Sequence, residues 1–305
     1  MSIAGKIRQN FRPLVMIVAM CCGIVLHSSL STLDAATNHT IAPSLIFLML
    51  FVTFCKVRVR DLRFSPLHLW MLLFQIIGAV ASYYIMLPLG EILAQGTMIL
   101  FITPIAMGAV VIGGLLGANV TTMVGYTLIC NFVIAIVAPY LLATYGNGLC
   151  TFYQILEKVV PILILPFFVA QTLKLVWHKA ADWVGAHGII SFYLWLGSLL
   201  ITLGRTTTFV LNYDGDATIY EQVGLAVAAL IACATQFSMG RYIGGKYGDA
   251  VCGGQSLGQK NTVLSVWLAQ SFLTPISSIA PTAYIIWQNL ANSLQLYLHD
   301  RKARE

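Results

Sequence analysis

Charge is the scarcest property of this chain. Only 9% of its 305 residues are Asp, Glu, Lys or Arg, against 58% hydrophobic residues and a mean hydropathy of +0.83. Soluble domains carry about a quarter charged residues. A chain this apolar cannot hide its side chains in one aqueous core, so the bilayer must be part of its solvent. Paired metal or redox motifs are also missing. The seven cysteines, Cys21, Cys22, Cys55, Cys130, Cys150, Cys233 and Cys252, are scattered, mostly in apolar runs, and none forms a CxxC pair. They read as small core hydrophobes. The six histidines show no HExxH spacing, so no metal or cofactor is expected.

What is present is a series of long apolar runs. A span needs about 20 apolar residues, so ten spans take about two thirds of the chain and leave no separate soluble domain. The expected spans cover about 12–31, 41–57, 66–87, 92–117, 119–143, 153–177, 186–211, 218–240, 249–272 and 275–298, numbered 1 to 10. Spans 4 and 9 are irregular. The first run, Pro13 to Leu30, follows Lys6, Arg8 and Arg12 and could be taken for a signal peptide. It is long for that role and no small-residue cleavage site follows, so it reads as span 1. The expected fold class is all-α and polytopic, a single membrane domain over 1–305.

The basic residues test this map. With ten spans, one side collects Lys6, Arg8, Arg12, Lys56, Arg58, Arg60, Arg63, Lys174, Lys179, Arg241, Lys246, Arg301, Lys302 and Arg304, which is 14 of the 17. Lys158 and Arg205 fall near the other side, and Lys260 falls inside span 9. The positive-inside rule then puts both termini in the cytoplasm. It accounts for the net charge of +6 without a nucleic-acid partner. These juxtamembrane bases read as orientation and headgroup contacts rather than a specific lipid site. The opposite side is acidic, with Asp34, Glu91, Asp214, Asp216 and Glu221, and carries a formal glycosylation sequon at Asn38-His39-Thr40. The short loops suit a bacterial inner membrane.

Ten spans divide into halves of five, 1–150 and 151–305, which would be inverted repeats because five is odd. The fourth span of each half is the interrupted one. Span 4 has Pro104, Met107 and Gly108, then Gly113, Gly114 and Gly117; span 9 is preceded and filled by Gly244, Gly245, Gly248, Gly253, Gly254 and Gly258. Glycine weakens helices and proline removes a donor. Matching interruptions in two halves point to a transporter's binding site, although small residues also serve close helix packing. Within span 9, Gln255, Ser256, Gln259, Lys260, Asn261 and Thr262 form a dense polar block. An ionisable residue inside a span marks a functional site by default, the alternative for Lys260 being snorkelling to the interface.

These residues resemble the bile acid:sodium symporter family. In spans 4 and 5 the chain carries Gly96, Pro104, Val111, Leu115, Asn119 (aspartate in the family), Thr127 and Pro139. In span 9 it reads Ser256-Leu257-Gly258-Gln259-Lys260-Asn261 against Glu-x-Gly-x-Gln-Asn, and in span 10 Trp287-Gln288-Asn289 resembles Trp-His-Asn. The resemblance implies a panel of spans 1, 2, 6 and 7 and a core of spans 3–5 and 8–10. Broken spans 4 and 9 would cross near the midplane, with substrate bound beside them and transport by alternating access.

The departures are at the sodium ligands the resemblance implies. Those positions are Ala109, Val110, Thr127, Ser256 and Lys260 here, and only Thr127 keeps a sodium-capable oxygen outright. An ammonium at ~4 Å would repel a cation by roughly 4 kcal/mol at an effective dielectric near 20. Lys260 is therefore expected to stand in for the cation. Either it stays charged in a uniporter or exchanger, or burial disfavours its charged form and a proton becomes the partner of transport. The expected substrate is an organic anion, bile-acid-like or a smaller carboxylate. The crossing site would comprise Pro104, Met107, Gly108, Ala109, Val110, Ser256, Gly258, Gln259, Lys260 and Asn261. Candidates for polar cavity lining are His27, Gln75, Asn119, Thr127, Asn131, Gln255, Thr262 and Asn289. Gln171, Thr202, Gln236 and Gln270, also polar and inside spans, are further candidates for that lining. The alternatives are a sodium-coupled symporter, an intramembrane acyltransferase with His27 as base, and a channel or receptor, for which no filter or charge ring is visible.

Overall fold

A computed structural model of the chain describes residue 15 and residues 18–59, 62, 64–187, 189–212 and 219–302. Most of the start of span 1, and Lys6, Arg8, Arg12, Arg60, Arg63, Asp214, Asp216 and Arg304, lie outside the described residues, as do the side chains of Met107 and Lys302.

The regular elements among the described residues are helices. In chain order they are α1 (Val18–Val25), α2 (His27–Ala36), α3 (Ile41–Phe54), α4 (Pro66–Met86), α5 (Glu91–Ile102), α6 (Met107–Leu115), α7 (Val120–Tyr145) and α8 (Phe152–Leu163). Then follow α9 (Leu165–Val176), α10 (His178–Ala186), α11 (Ile189–Leu211), α12 (Ile219–Lys246), α13 (Ala250–Gly258), α14 (Thr262–Phe272) and α15 (Ile279–Lys302). Among the described residues five helical stretches are long and apolar enough to cross a membrane, Pro66–Leu89, Val120–Tyr145, Phe152–Val176, Ile189–Leu211 and Ile219–Lys246, and α1 with α2 would make a sixth as one bent span. The chain is an integral membrane protein of polytopic, all-helical build.

Helix α4 shows how the bilayer acts as solvent. Trp70, Leu73, Ile77 and Tyr84, at helical spacing, are exposed, while His68, Gln75 and Tyr83 on the opposite face are buried. A water-soluble helix would do the reverse. Here the apolar stripe is solvated by lipid and the amide is turned to the interior, where it must find partners.

Several expectations need correction. Span 1 is not one straight helix ending near residue 31: α1 and α2 meet at 77° and α2 continues to Ala36. The polar content of α2 explains its direction. Asp34 is fully buried and its Oδ2 lies 3.2 Å from Nε of Arg205 on α11 and 2.6 Å from Nδ1 of His39. Burial of a carboxylate requires a paired cation, and α2 packs on α11 to provide it. Between spans 6 and 7, where a loop was expected, the short helix α10 intervenes. Span 8 runs on to Lys246, and span 10 begins with a single 3-10 turn, Pro275–Ser278, before α15.

The glycines were expected to break spans 4 and 9. They instead mediate packing and turns. A Cβ on Gly253 would strike the backbone of Gly240 and Gly244, so α12 and α13 lie backbone to backbone. Gly117 and Gly248 have φ of +86° and +80° and sit past the ends of α6 and α12, a conformation glycine adopts without strain. The breaks lie at residues 103–106, around the expected Pro104, and at 259–261, directly after Gly258.

The packing predicts a contrast within one glycine cluster. Gly253→Ala should cost about 1–3 kcal/mol through overpacking. Gly245→Ala, whose Cβ would meet only Ala250 Cβ at 3.8 Å, should be neutral or stabilising. Apparent unfolding temperatures in detergent check both.

Candidate functional site

Pro104 sets the first break. It has no N–H to continue α5 and disfavours helical backbone in the residue before it. Thr103 accordingly turns extended, at φ −62° and ψ 135°, and Ala106 is extended at φ −72° and ψ 149° before α6 resumes the helix. The second break contains no proline. Gln259 is extended at φ −94° and ψ 109°, and Asn261 restarts α14 as its cap, its Oδ1 accepting from the Leu264 N–H at 3.2 Å.

The two breaks run antiparallel and pair with each other. Ala106 N–H donates to Gln259 O at 2.8 Å, and Asn261 N–H donates to Pro104 O at 2.9 Å, forming a bridge centred on Ile105 and Lys260. Two interrupted helices thus satisfy each other's backbone at the one place where neither can satisfy its own.

The remaining carbonyls at the end of α5 are taken by side chains. Gln236 Nε2 on α12 donates to Leu100 O at 3.3 Å, and Lys260 Nζ donates to Phe101 O at 3.2 Å. Gln75 Nε2 on α4 donates to Ile102 O at 3.1 Å and Thr103 O at 2.9 Å. Both amides are braced by tyrosines. Tyr126 OH donates to Gln75 Oε1 at 2.8 Å, and Gln236 Nε2 reaches Tyr284 OH at 3.2 Å. Tyr284 OH in turn donates to Gly258 O, the end of α13, at 2.8 Å. The Lys260 N–H donates to Gln288 Oε1 at 3.0 Å.

Lys260 is 1% exposed. Among the described residues no carboxylate lies within ion-pair distance of it. Its ammonium is met by a helix C-terminus, which carries about half a negative charge.

The structure brings together Pro104, Gly258, Gln259, Lys260 and Asn261, with Gln75 beside them. Gly108 faces this cluster, since a Cβ there would lie 3.7 Å from Gln259 Oε1. Ala109 is buried, Val110 half-buried, and Met107 opens α6. The Gln259 amide donates to Gln255 Oε1, and Gln255 Nε2 donates to Gln295 at 3.2 Å, so this chain of amides leads along α13 away from the crossing. Ser256 Oγ is buried beside the Cys252 thiol, and among the described residues Asn131 Oδ1 is buried without a partner. Thr127 is spent on Met123 O of its own helix at 2.9 Å, and Asn131 on Thr127 O at 2.7 Å. Thr262 N–H closes a tight turn onto Lys260 O at 2.8 Å.

Three cavity-lining expectations are placed elsewhere. Asn119 is the exposed cap of α7, accepting from Thr122 N–H at 3.1 Å, while its own N–H donates to Asp249 at 2.7 Å. His27 opens α2 just after the bend, its Nδ1 3.1 Å from Thr208 Oγ1. Asn289 bonds Ile285 O within α15 at 2.7 Å, and its neighbour Gln288 is the residue that reaches the break. Tyr126, Tyr284 and Gln288 were missed as site residues. A lone tyrosine in an apolar run carries no signal by itself, whereas Gln236, the amide of a long apolar helix, did.

No protein-family model matches this chain, and no curated protein matches it.

The carbonyl accounting predicts that Gln75→Leu destabilises the protein by about 2–5 kcal/mol, because two buried carbonyls and the Tyr126 hydroxyl lose their partner. Gln171→Leu, removing one long bond of 3.4 Å to Phe54 O, should cost less than about 1 kcal/mol. Thermal unfolding in detergent measures both.

Proposed function

We propose that this protein is a secondary transporter of an organic anion, working by alternating access, in which Lys260 takes the place of a coupling cation. The observation that carries this reading is the burial of the Lys260 ammonium on the Phe101 carbonyl, where two broken helices pair. Interrupted helices at membrane depth are tolerated where they serve a site. A charge held there without a carboxylate asks for an anionic partner or a proton.

The reading includes ten spans in two inverted halves, as the resemblance to the bile acid:sodium symporter family implies. The bracing pairs support it: Gln75 with Tyr126 joins spans 3 and 5, and Gln236 with Tyr284 joins spans 8 and 10. A division into panel and core is supported by packing of α3 on α9 and α11, α2 on α11, α4 on α5, and α12 on α13 and α15. The contact from Gln270 Nε2 on α14 to Thr206 Oγ1 on α11, 3.0 Å, would lie where the two parts slide. The termini would face the cytoplasm, in a bacterial inner membrane.

A sodium-coupled cycle would need oxygen ligands where Ala109, Val110 and Lys260 stand. An acyltransferase would need an acid to orient His27, whose bonded neighbour is the Thr208 hydroxyl. Both observations favour the transporter without sodium.

Uptake of labelled steroid acids and short carboxylates into proteoliposomes, with sodium and pH gradients imposed separately, tests the proposal. Uptake should be indifferent to sodium and fall at least about tenfold in Lys260→Gln, the loss expected when a charge-assisted contact of about 1.5 kcal/mol disappears. A pH gradient that drives uptake assigns a proton cycle to Lys260; indifference to pH assigns a permanent charge. Sodium-driven uptake by the wild type would contradict the proposal.

A further inference from the structure

Away from the crossing, the structure holds a cavity of about 280 Å³ where the end of α3 meets α9 and α10. Helix α10 lies close there because its inward face is small: Ala181 is fully buried, and a Cβ on Gly185, four residues on, would sit 3.2 Å from Cys55 O. The walls carry Lys56, Arg58 and Lys174, with His178 at the first position of α10 and Asp182 one turn later. Three basic side chains thus face one carboxylate. Lys174 is tied down by donating to Val57 O. Lys56 and Arg58 are exposed, and among the described residues neither is within ion-pair distance of Asp182.

The surroundings say what phase the cavity opens to. Leu175, Val176, Trp177 and Trp183, at the end of α9 and on α10, are all exposed. Tryptophan beside exposed aliphatic residues at a span's end is the composition of a membrane–water boundary. A short helix carrying Lys179 and Trp183, with Trp177 at its cap, suits a position in that boundary plane. A cavity with excess positive charge at headgroup depth, with the first turn of a helix in its wall, fits a phosphate group.

We propose that this cavity binds the phosphate of an anionic phospholipid headgroup, with Lys56 and Arg58 as its principal cations and Lys174 as a fixed third. The lipid would join the loop after α3 to α10. The inference goes beyond transport and stands whether or not the transport reading holds.

The test is lipid retention by the full chain in detergent, measured by native mass spectrometry with phosphatidylglycerol or phosphatidylcholine added. Wild type should retain phosphatidylglycerol preferentially. Lys56→Gln combined with Arg58→Gln should weaken that retention roughly 25-fold, about fivefold per basic side chain. The charge-conserving pair Lys56→Arg and Arg58→Lys should keep it. Both positions are exposed, so an unchanged unfolding temperature in phosphatidylcholine verifies folding. Retention unchanged in the glutamine pair would overturn the site. Displacement of the lipid by millimolar inorganic phosphate would overturn the lipid as its source, the ligand then being a soluble phosphate.

Discussion

Inside a bilayer, a carbonyl released from a helix has no water to turn to. This constraint organises the centre of the molecule. Once Pro104 ends α5, the carbonyls from Leu100 to Pro104 need donors, and each has one: Gln236, Lys260, Gln75 twice, and the Asn261 N–H. The donors come from α4, α12 and the second break. The interruption of one helix therefore dictates where three other elements must pack. Four of the five carbonyls could be served by neutral groups. The use of an ammonium for one of them is the choice that bears on function.

That choice places the lysine amine on the C-terminus of α5. A helix C-terminus contributes about half a negative charge, which offsets part of the cost of burying an ammonium without a carboxylate. A metal cation at the same place would use the same carbonyl oxygens. In the proposed transporter, lysine and a coupling ion would be competing solutions to one electrostatic problem. The same rule appears away from the centre. Asp34 is buried against Arg205, and α2 departs by 77° from α1 to make that pair.

Much of this was legible in the sequence, and the exceptions have physical reasons. Composition and apolar run length indicated the helical membrane architecture, because hydropathy is a property of local sequence. The polar block around Lys260 stood out because such residues are rare inside spans. Glycine misled: it marked the backbone contact of Gly253 with Gly240 and Gly244, while the actual break at residues 259–261 holds no glycine. A glycine reports only that space or flexibility is needed, not which. Asn119 and Asn289 misled in another way. An asparagine's partner is often its own backbone neighbourhood, as a cap in the first case and an i−4 bond in the second. The bracing tyrosines were invisible, since their role exists only once α7 and α15 are brought to the crossing.

The most direct measurement of the central claim is the effect of sodium on the unfolding temperature of the purified protein, compared with potassium at equal ionic strength. A ligand that binds only the folded state raises that temperature by mass action. If the Lys260 ammonium occupies the place of a cation, the wild type unfolds at the same temperature in both salts, and sensitivity to sodium emerges only in Lys260→Gln. Stabilisation of the wild type by sodium would mean that a cation binds beside the ammonium, and the account would be wrong.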